Sequence, residues 1–388
     1  MSHHYSALAA AFFLCSITLC SSGQSFQEFS AGLEPLYDGR ISWVDLDNDG
    51  DLDIIYSGLA DETTFYTRVY ENEAGTFALR TTALPHVHGE IIAGDYDNDG
   101  DSDILLSGHT ASGNVSALYE NAGGFNFPLV TSFPGLTHSK VAFADPDNDE
   151  DADIIITGLD DSAAPAVDKV LFYRHDGGTF TELTTTGLPA CSNCAFDWAD
   201  VNGDGLVDVA VTSVVRNHTE LYLNNGGNKF TLDTHQPLPG LYDGDIHWGD
   251  FDRDGQMDLL VSGARADGTM NTEVYRNDSG RLRWVDALDL WYVGENWHGG
   301  TKWVDYNHDG WQDIILSGSG TTIFEEEYVL KGYLNQGDTT FTEDVLATEG
   351  LAYSSLDFGY FDNDGDIDLL YMGENSTGIV TGSLKNTL

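Results

Sequence analysis

A chain of 388 residues with 64 Asp and Glu against 16 Lys and Arg carries a formal charge of -48, which repels nucleic acid and anionic lipid and excludes both as partners. Its 41% hydrophobic and 12% aromatic residues suffice for a sizeable core, and 43 Gly against 9 Pro favour many tight turns over disorder. A chain this long holds either two or three ordinary domains or one repeat architecture, so periodicity decides between them.

Residues 1–23 read as an export signal: an apolar stretch from Ala7 to Leu19, small residues, and a cut after Gly23. The stretch is too short to span a bilayer, and no later one looks like a span, so no membrane insertion is expected. The expectation is a secreted protein, extracellular or at a cell surface, whose mature chain, 24–388, is a single monomeric domain. Only Cys191 and Cys194 remain in it, and in an exported chain they predict a small loop disulfide.

Ser25 to Phe29 reads as a strand. Seven acidic runs follow: DLDNDGDLD from Asp45, DYDNDGDSD from Asp95, DPDNDEDAD from Asp145, DVNGDGLVD from Asp200, DFDRDGQMD from Asp250, DYNHDGWQD from Asp305 and YFDNDGDID from Tyr360, their starts 50 or 55 residues apart. Such a period marks a propeller or solenoid, whose single unit cannot bury its apolar face alone. Before each run comes a strand with a large residue two positions upstream: Trp43, Phe143, Trp198, Trp248, Trp303 and Phe358, with Ala93 the exception. After it come a β-rich run such as DIIYSG, a third strand such as Val69-Tyr70-Glu71-Asn72, and a Gly-rich turn leading to a fourth strand around Phe77, Phe127, Phe180, Phe230 or Phe341. Four short strands per period predict an all-β fold, a seven-bladed β-propeller of four-stranded antiparallel blades. The last period supplies only three strands, so the N-terminal strand is predicted to complete blade seven and close the ring.

In DxDxDGxxD the side chains at positions 1, 3 and 5 and the carbonyl at 7 face one centre, Gly at 6 allows the sharp turn, and Asp at 9 closes an all-oxygen cage. Such a donor set selects a hard cation and favours Ca²⁺ over Mg²⁺. The predicted ligands are Asp45, Asp47, Asp49, Asp51 and Asp53 in blade one; Asp95, Asp97, Asp99, Asp101 and Asp103 in blade two; and Asp145, Asp147, Asp149, Asp151 and Asp153 in blade three. Blade four offers Asp200, Asn202, Asp204, Leu206 and Asp208; blade five Asp250, Asp252, Asp254, Gln256 and Asp258; blade six Asp305, Asn307, Asp309, Trp311 and Asp313; and blade seven Asp362, Asp364, Asp366 and Asp368. Blades one, two, four, five and six are expected to bind. Blade three has Glu150 where the turn prefers Gly, and blade seven has Tyr360 in place of the first ligand, so these two are the weak members. Even seven divalent ions leave most of the -48 unbalanced, and a salt-tolerant acidic surface accounts for the rest.

These residues resemble the FG-GAP/VCBS repeat family, which includes integrin α-subunit propellers and calcium-binding propeller lectins. The resemblance covers nearly all of residues 25–388 and includes the Phe358-Gly359 pair. It implies the fold and the ion but no particular ligand or reaction.

Seven positions before each run stand Asp38, His88, His138, Asn193, Asp243, His298 and Tyr353, predicted to ring the channel mouth on the face opposite the acidic loops. They are either solvated loop residues or a polar ligand site. Trp284, Trp291, Tyr292, Trp297 and His298 form an aromatic cluster between blades five and six that could stack on sugar rings. The leading expectation is an extracellular binding or adhesion module for a protein or glycan. The alternatives are a secreted polysaccharide lyase or glycoside hydrolase, for which no nucleophile motif is visible, and a structural part of a surface assembly.

Overall fold

The computed structural model describes residues 25–387, apart from 214–217, 237, 243, 268, 286–299, 323–324, 345 and 347–348. The export signal, Asp243, Trp291, Tyr292, Trp297 and His298 lie outside the described residues.

Twenty-eight strands form seven four-stranded antiparallel sheets, and no helix occurs among the described residues. Blade one runs Ile41–Val44, Asp53–Leu59, Phe65–Glu73 and Thr76–Arg80, in that spatial order from the axis outward. Blades two to six repeat it. Blade seven takes Ala352–Gly359, Asp368–Asn375 and Gly378–Thr387 from the C-terminus and Ser25–Phe29 from the N-terminus, with Ser25 opposite Thr387 and Phe29 opposite Ser383. The predicted closure is therefore present, and it covers the edge of the last strand.

Second strands such as Asp53–Leu59 are buried along almost their whole length because each blade is sandwiched between two others. Outer strands such as Thr179–Glu182 are mostly exposed. The large residues upstream of the acidic runs fill the seams between blades. Trp43 of blade one stacks on Phe361 of blade seven at 5.4 Å and 5°, and Trp303 of blade six on Phe251 of blade five at 5.7 Å and 8°. Such stacked pairs contribute about 0.5–1.5 kcal/mol beyond their buried area.

A polar network tightens the same seams. The Asp that ends each acidic run is buried: Asp53, Asp103, Asp153, Asp208, Asp258, Asp313 and Asp368. Its Oδ1 accepts the backbone N–H of a third-strand residue at 2.7–2.8 Å, from Asn72, Asn121, His175, Asn224, Asn277, Asn335 and Asn386. The six asparagines then donate through Nδ2 to a carbonyl of the preceding blade: Phe361, Leu46, Pro146, Val201, Phe251 and Tyr306. His175 breaks the pattern and stacks instead on Phe180 at 4.6 Å. Blade three departs again at Pro146, which has no N–H for Asp153, and Oδ2 of that carboxylate is buried without a partner.

Asn335→Ala removes a buried amide donor and leaves the carbonyl of Phe251 unpaired. The expected loss is about 1–3 kcal/mol of unfolding free energy, read from urea denaturation; an unchanged midpoint would count against the latch.

Candidate functional site

Two constellations lie on the ring: the acidic loops on one face and a polar cavity at the axis.

In loops one to six the first Asp is a template for the turn. Asp45 Oδ2 accepts the N–H of Gly50 at 3.1 Å, and Asp95, Asp145, Asp200, Asp250 and Asp305 repeat the bond to position six at 2.8–3.1 Å. Position six needs positive φ: Gly50 has 93°, and Glu150 is held at 71°, a conformation that costs a β-carbon-bearing residue roughly 1–2 kcal/mol. Glu150 thus places a backbone cost on the turn of loop three that glycine avoids in the other loops, while the carboxylates of loop three still converge.

Carboxylates converge as the spacing requires. One oxygen from each of Asp45, Asp47 and Asp53 lies within 4.8 Å of the others, and the same holds for Asp95, Asp97 and Asp99, for Asp145, Asp147 and Asp149, and for Asp250, Asp252 and Asp254. The Oδ1 atoms of Asp45, Asp47 and Asp147 are buried and accept no hydrogen bond. Burial and neighbouring carboxylates push Asp47, Asp97 and Asp147 above the usual carboxylate range. Crowded, desolvated oxygens without donors fit an oxygen-seeking divalent cation. Loops four and six use the Oδ1 of Asn202 and Asn307 to accept the N–H of Asp204 and Asp309, which keeps an oxygen at position three with less charge.

Two loops carry their own cation. The ammonium of Lys385, on the last strand, pairs with Asp362 and lies 2.9 Å from Asp364 in loop seven, where Tyr360 has replaced the first ligand. Hydrogen bonds to both carboxylates raise its pKa. Arg276 holds the matching strand position in blade five, 2.7 Å from Asp252 and 3.2 Å from Asp254. Loop five, expected from its sequence to be among the full binders, therefore has an internal competitor.

Position four of each loop reaches toward the next. Asn48 bonds to Asp101, Asn98 to the carbonyl of Glu150, Asn148 to that of Gly205, and Asn363 to Asp51. Arg253 lies over the Trp311 ring at 5.2 Å, and His308 packs on Tyr360 at 6.1 Å. Loop four has Gly203 there and makes no such link. These links, the Asn latches and the two basic side chains escaped sequence reading because each depends on a register between separate strands or blades.

At the opposite end of the channel, Asp38, His88, His138 and Asn193 line one cavity of about 380 Å³ together with His109, Thr137, Ser139 and Cys194. His88 Nε2 lies 2.8 Å from Asp38 Oδ2 across the seam between blades one and two. Asp38 N–H donates to the Tyr353 carbonyl at 3.0 Å, and Asn193 N–H to that of His138 at 3.1 Å. The ring inferred from sequence is thus partly assembled, and His109 is an addition that no spacing signalled. Asp38, His138, Asn193 and Tyr353 all have φ between 46° and 52°, the left-handed region that non-glycine residues rarely adopt. Cys191 and Cys194 form the expected disulfide, which brackets Asn193. Trp284 is exposed, but it lines a different groove, with Arg265, Arg281 and His235 on blade five's outer side.

The buried loop carboxylates set a pH dependence. Burial, reinforced by nearby loop carboxylates and opposed by backbone hydrogen bonds, raises Asp53, Asp103 and Asp208 to about 6, Asp153, Asp258 and Asp368 to about 7, and Asp313 to about 8. Because these folded-state values lie above the unfolded one, the native state holds extra protons between pH 4 and 8. Their contribution to stability is complete below the unfolded pKa and is lost as pH rises through 6 to 8. Metal-free protein is therefore expected to melt at a higher temperature at pH 5 than at pH 8, measured by calorimetry in chelator.

A family model of the FG-GAP-like repeat matches residues 45–106, 95–156, 200–261 and 305–371. No curated protein matches the chain. Among solved structures, it is similar to a mutant α-L-arabinofuranosidase from Fusarium graminearum in complex with an iminosugar inhibitor, at 11% identity over 93% of this chain and 96% of that chain, TM-score 0.45. It is similar also to a mutant of AofleA from Arthrobotrys oligospora, at 9% identity over 94% and 86%, TM-score 0.43. An α-L-arabinanase from Penicillium chrysogenum complexed with arabinobiose gives 12% identity over 94% and 98%, TM-score 0.46. At such identities and scores no ligand, residue role or reaction is carried across. The repeat matches cover more than half of the chain, each running from one acidic loop into the next blade so that all seven loops are included, and the protein belongs to the FG-GAP-like repeat family.

Proposed function

We propose that this protein is a secreted, calcium-stiffened propeller that binds a small hydroxyl-rich ligand, such as the end of a glycan, in its axial cavity. The observation that carries this reading is the cavity itself, where imidazole, carboxylate, amide and hydroxyl groups from blades one to four converge in about 380 Å³. Mixed donors and acceptors on a rigid frame suit ligands that both give and take hydrogen bonds. The frame's rigidity is assigned to calcium in loops one, two, four, five and six, supported in loops one, two and five by converging carboxylates and in loop one by donor-less oxygens, with loops four and six resting on their sequence pattern. The disulfide supports an oxidising, extracellular setting.

A second reading is a glycan-cleaving enzyme, favoured by one observation: the Asp38–His88 pair in the cavity wall. A carboxylate that orients an imidazole can help it hold or move a proton.

Excess chelator is expected to lower the melting temperature by several degrees, since an ion bound only to the folded state stabilises it. Native mass spectrometry should count five calcium ions, the one in loop five being the weakest and tightening in Arg276→Leu. Replacing Tyr360 by Asp and Lys385 by Leu together should add one ion; a count that stays the same would remove the explanation given for loop seven.

On a glycan array with calcium, His88→Ala and Asn193→Ala should weaken saturable binding by about tenfold or more, the scale of a lost buried hydrogen bond. Binding without turnover supports the module, and turnover abolished by His88→Ala supports the enzyme. A ligand unaffected by either change does not bind in the axial cavity.

A further inference from the structure

We propose that the channel beyond this cavity is a site for the carboxylate of an acidic sugar, with Lys302 as its main contact and Arg40 and Lys140 supporting it. The inference rests on the axial reading above and narrows it to a ligand class.

The chain has only 16 Lys and Arg, so the placement of three of them around one cavity of about 360 Å³ on the axis matters. Arg40, immediately before the inner strand Ile41–Val44 of blade one, and Lys140, within the inner strand Thr137–Ala144 of blade three, both line this cavity. Lys302 comes from the inner strand of blade six, Thr301–Val304, where its neighbour Trp303 turns the other way into the seam.

The acids that share this layer are already engaged. Asp357 Oδ2 accepts the N–H of Trp43 at 2.9 Å, and Asp197 accepts those of Trp198 and Trp248 at 2.9 and 2.8 Å. Asp245 accepts the N–H of Ile246 at 3.1 Å and lies 2.9 Å from His247 Nε2. Glu90 lies 3.3 Å from the Lys140 ammonium. Burial pushes the Asp245 carboxyl up, but His247, Lys140 and Lys302 together hold it below the usual carboxylate range. The ammonium of Lys302, by contrast, makes no hydrogen bond or ion pair with any described residue. Burial first, and then the charge of Arg40, lowers its pKa, against the pull of Asp357 and Asp245.

The Lys302 ammonium, desolvated and within the field of Asp245 and Asp357 but bonded to neither, is a donor in search of an acceptor. A bound carboxylate meets that demand through charge-assisted hydrogen bonds, which are about twice as strong as neutral ones. A neutral sugar does not.

The test is calorimetric titration of the full calcium-loaded chain with D-glucuronate and with D-glucose, which differ by one carboxylate, in wild type, Lys302→Met and Lys302→Arg. The expected result is glucuronate bound at least tenfold more tightly than glucose, a loss of about tenfold or more for glucuronate alone in Lys302→Met, and retention in Lys302→Arg. Equal binding of the two sugars, or no effect of Lys302→Met on glucuronate, overturns the inference while leaving the axial site standing. Absence of binding by both sugars overturns the inference, and absence of any array ligand sensitive to His88→Ala overturns the axial reading itself. Sulfate bound as tightly as glucuronate reduces the site to a general anion pocket and counts against the acidic sugar. A melting curve for Lys302→Met in excess calcium separates a lost contact from a lost fold, and Lys302→Arg provides the charge-retaining control.

Discussion

The ring depends on one buried carboxylate repeated seven times. Each Asp at the end of an acidic run is removed from water between blades and accepts a backbone N–H of its own third strand, and in six blades the Asn that supplies this N–H holds a carbonyl of the preceding blade. Removing a carboxylate from water is costly, and the backbone bond to Oδ1 offsets part of that cost. The arrangement therefore fixes loop, blade and seam at once, and a shift of any one of them would leave charge buried without a partner. Aromatic stacking fills the seams, but stacking tolerates sliding and these directed bonds do not.

This hub also explains why the acidic runs were such a strong signal. Two demands act on the same nine residues: a turn that templates its own backbone through the first Asp, and a buried terminus that joins blades. The period, the strand order and the closure of blade seven by Ser25–Phe29 were legible because they rest on local pattern repeated many times. What was not legible depends on pairings between distant segments. Asn72 and its equivalents are visible in the sequence as a recurring Asn two positions after Tyr or Leu, yet nothing local says that the amide crosses to another blade. Lys385 and Arg276 look like ordinary strand residues until the strand register sets them beside a loop. At the axis, position alone identified Asp38, His88, His138 and Asn193, because equal spacing from an acidic run becomes equal height in a ring; His109 arrives from a second strand and has no such marker.

On the proposed function, holding the ring's shape and meeting a ligand fall to different faces. Loop chemistry faces one side, built from carboxylates that differ little between blades. Axial chemistry faces the other, where the side chain at the equivalent position varies among Asp, His, Asn and Tyr. Cyclic architecture makes this division easy, since one inner strand supplies a seam residue, a channel residue and a mouth residue in succession, and substitution at the mouth leaves the seam untouched. The Cys191–Cys194 bridge fits the same logic by bracketing a mouth residue where blade four enters the ring.

The links made by position four of the acidic loops run around the face like the joints of a bracelet, from loop five through six, seven, one, two and three to four. Gly203 leaves the step from loop four to loop five without a side chain. Geometrically the bracelet is an open arc, with a defined first and last bead, laid over a closed ring. Strain applied to any loop can be shared with its neighbours along the arc but has nowhere to pass at this break, so at the junction of blades four and five the seam is held by the Asn277 latch to Val201 and by Gln236, which bonds Gly280 and Leu282, in place of a loop-to-loop link.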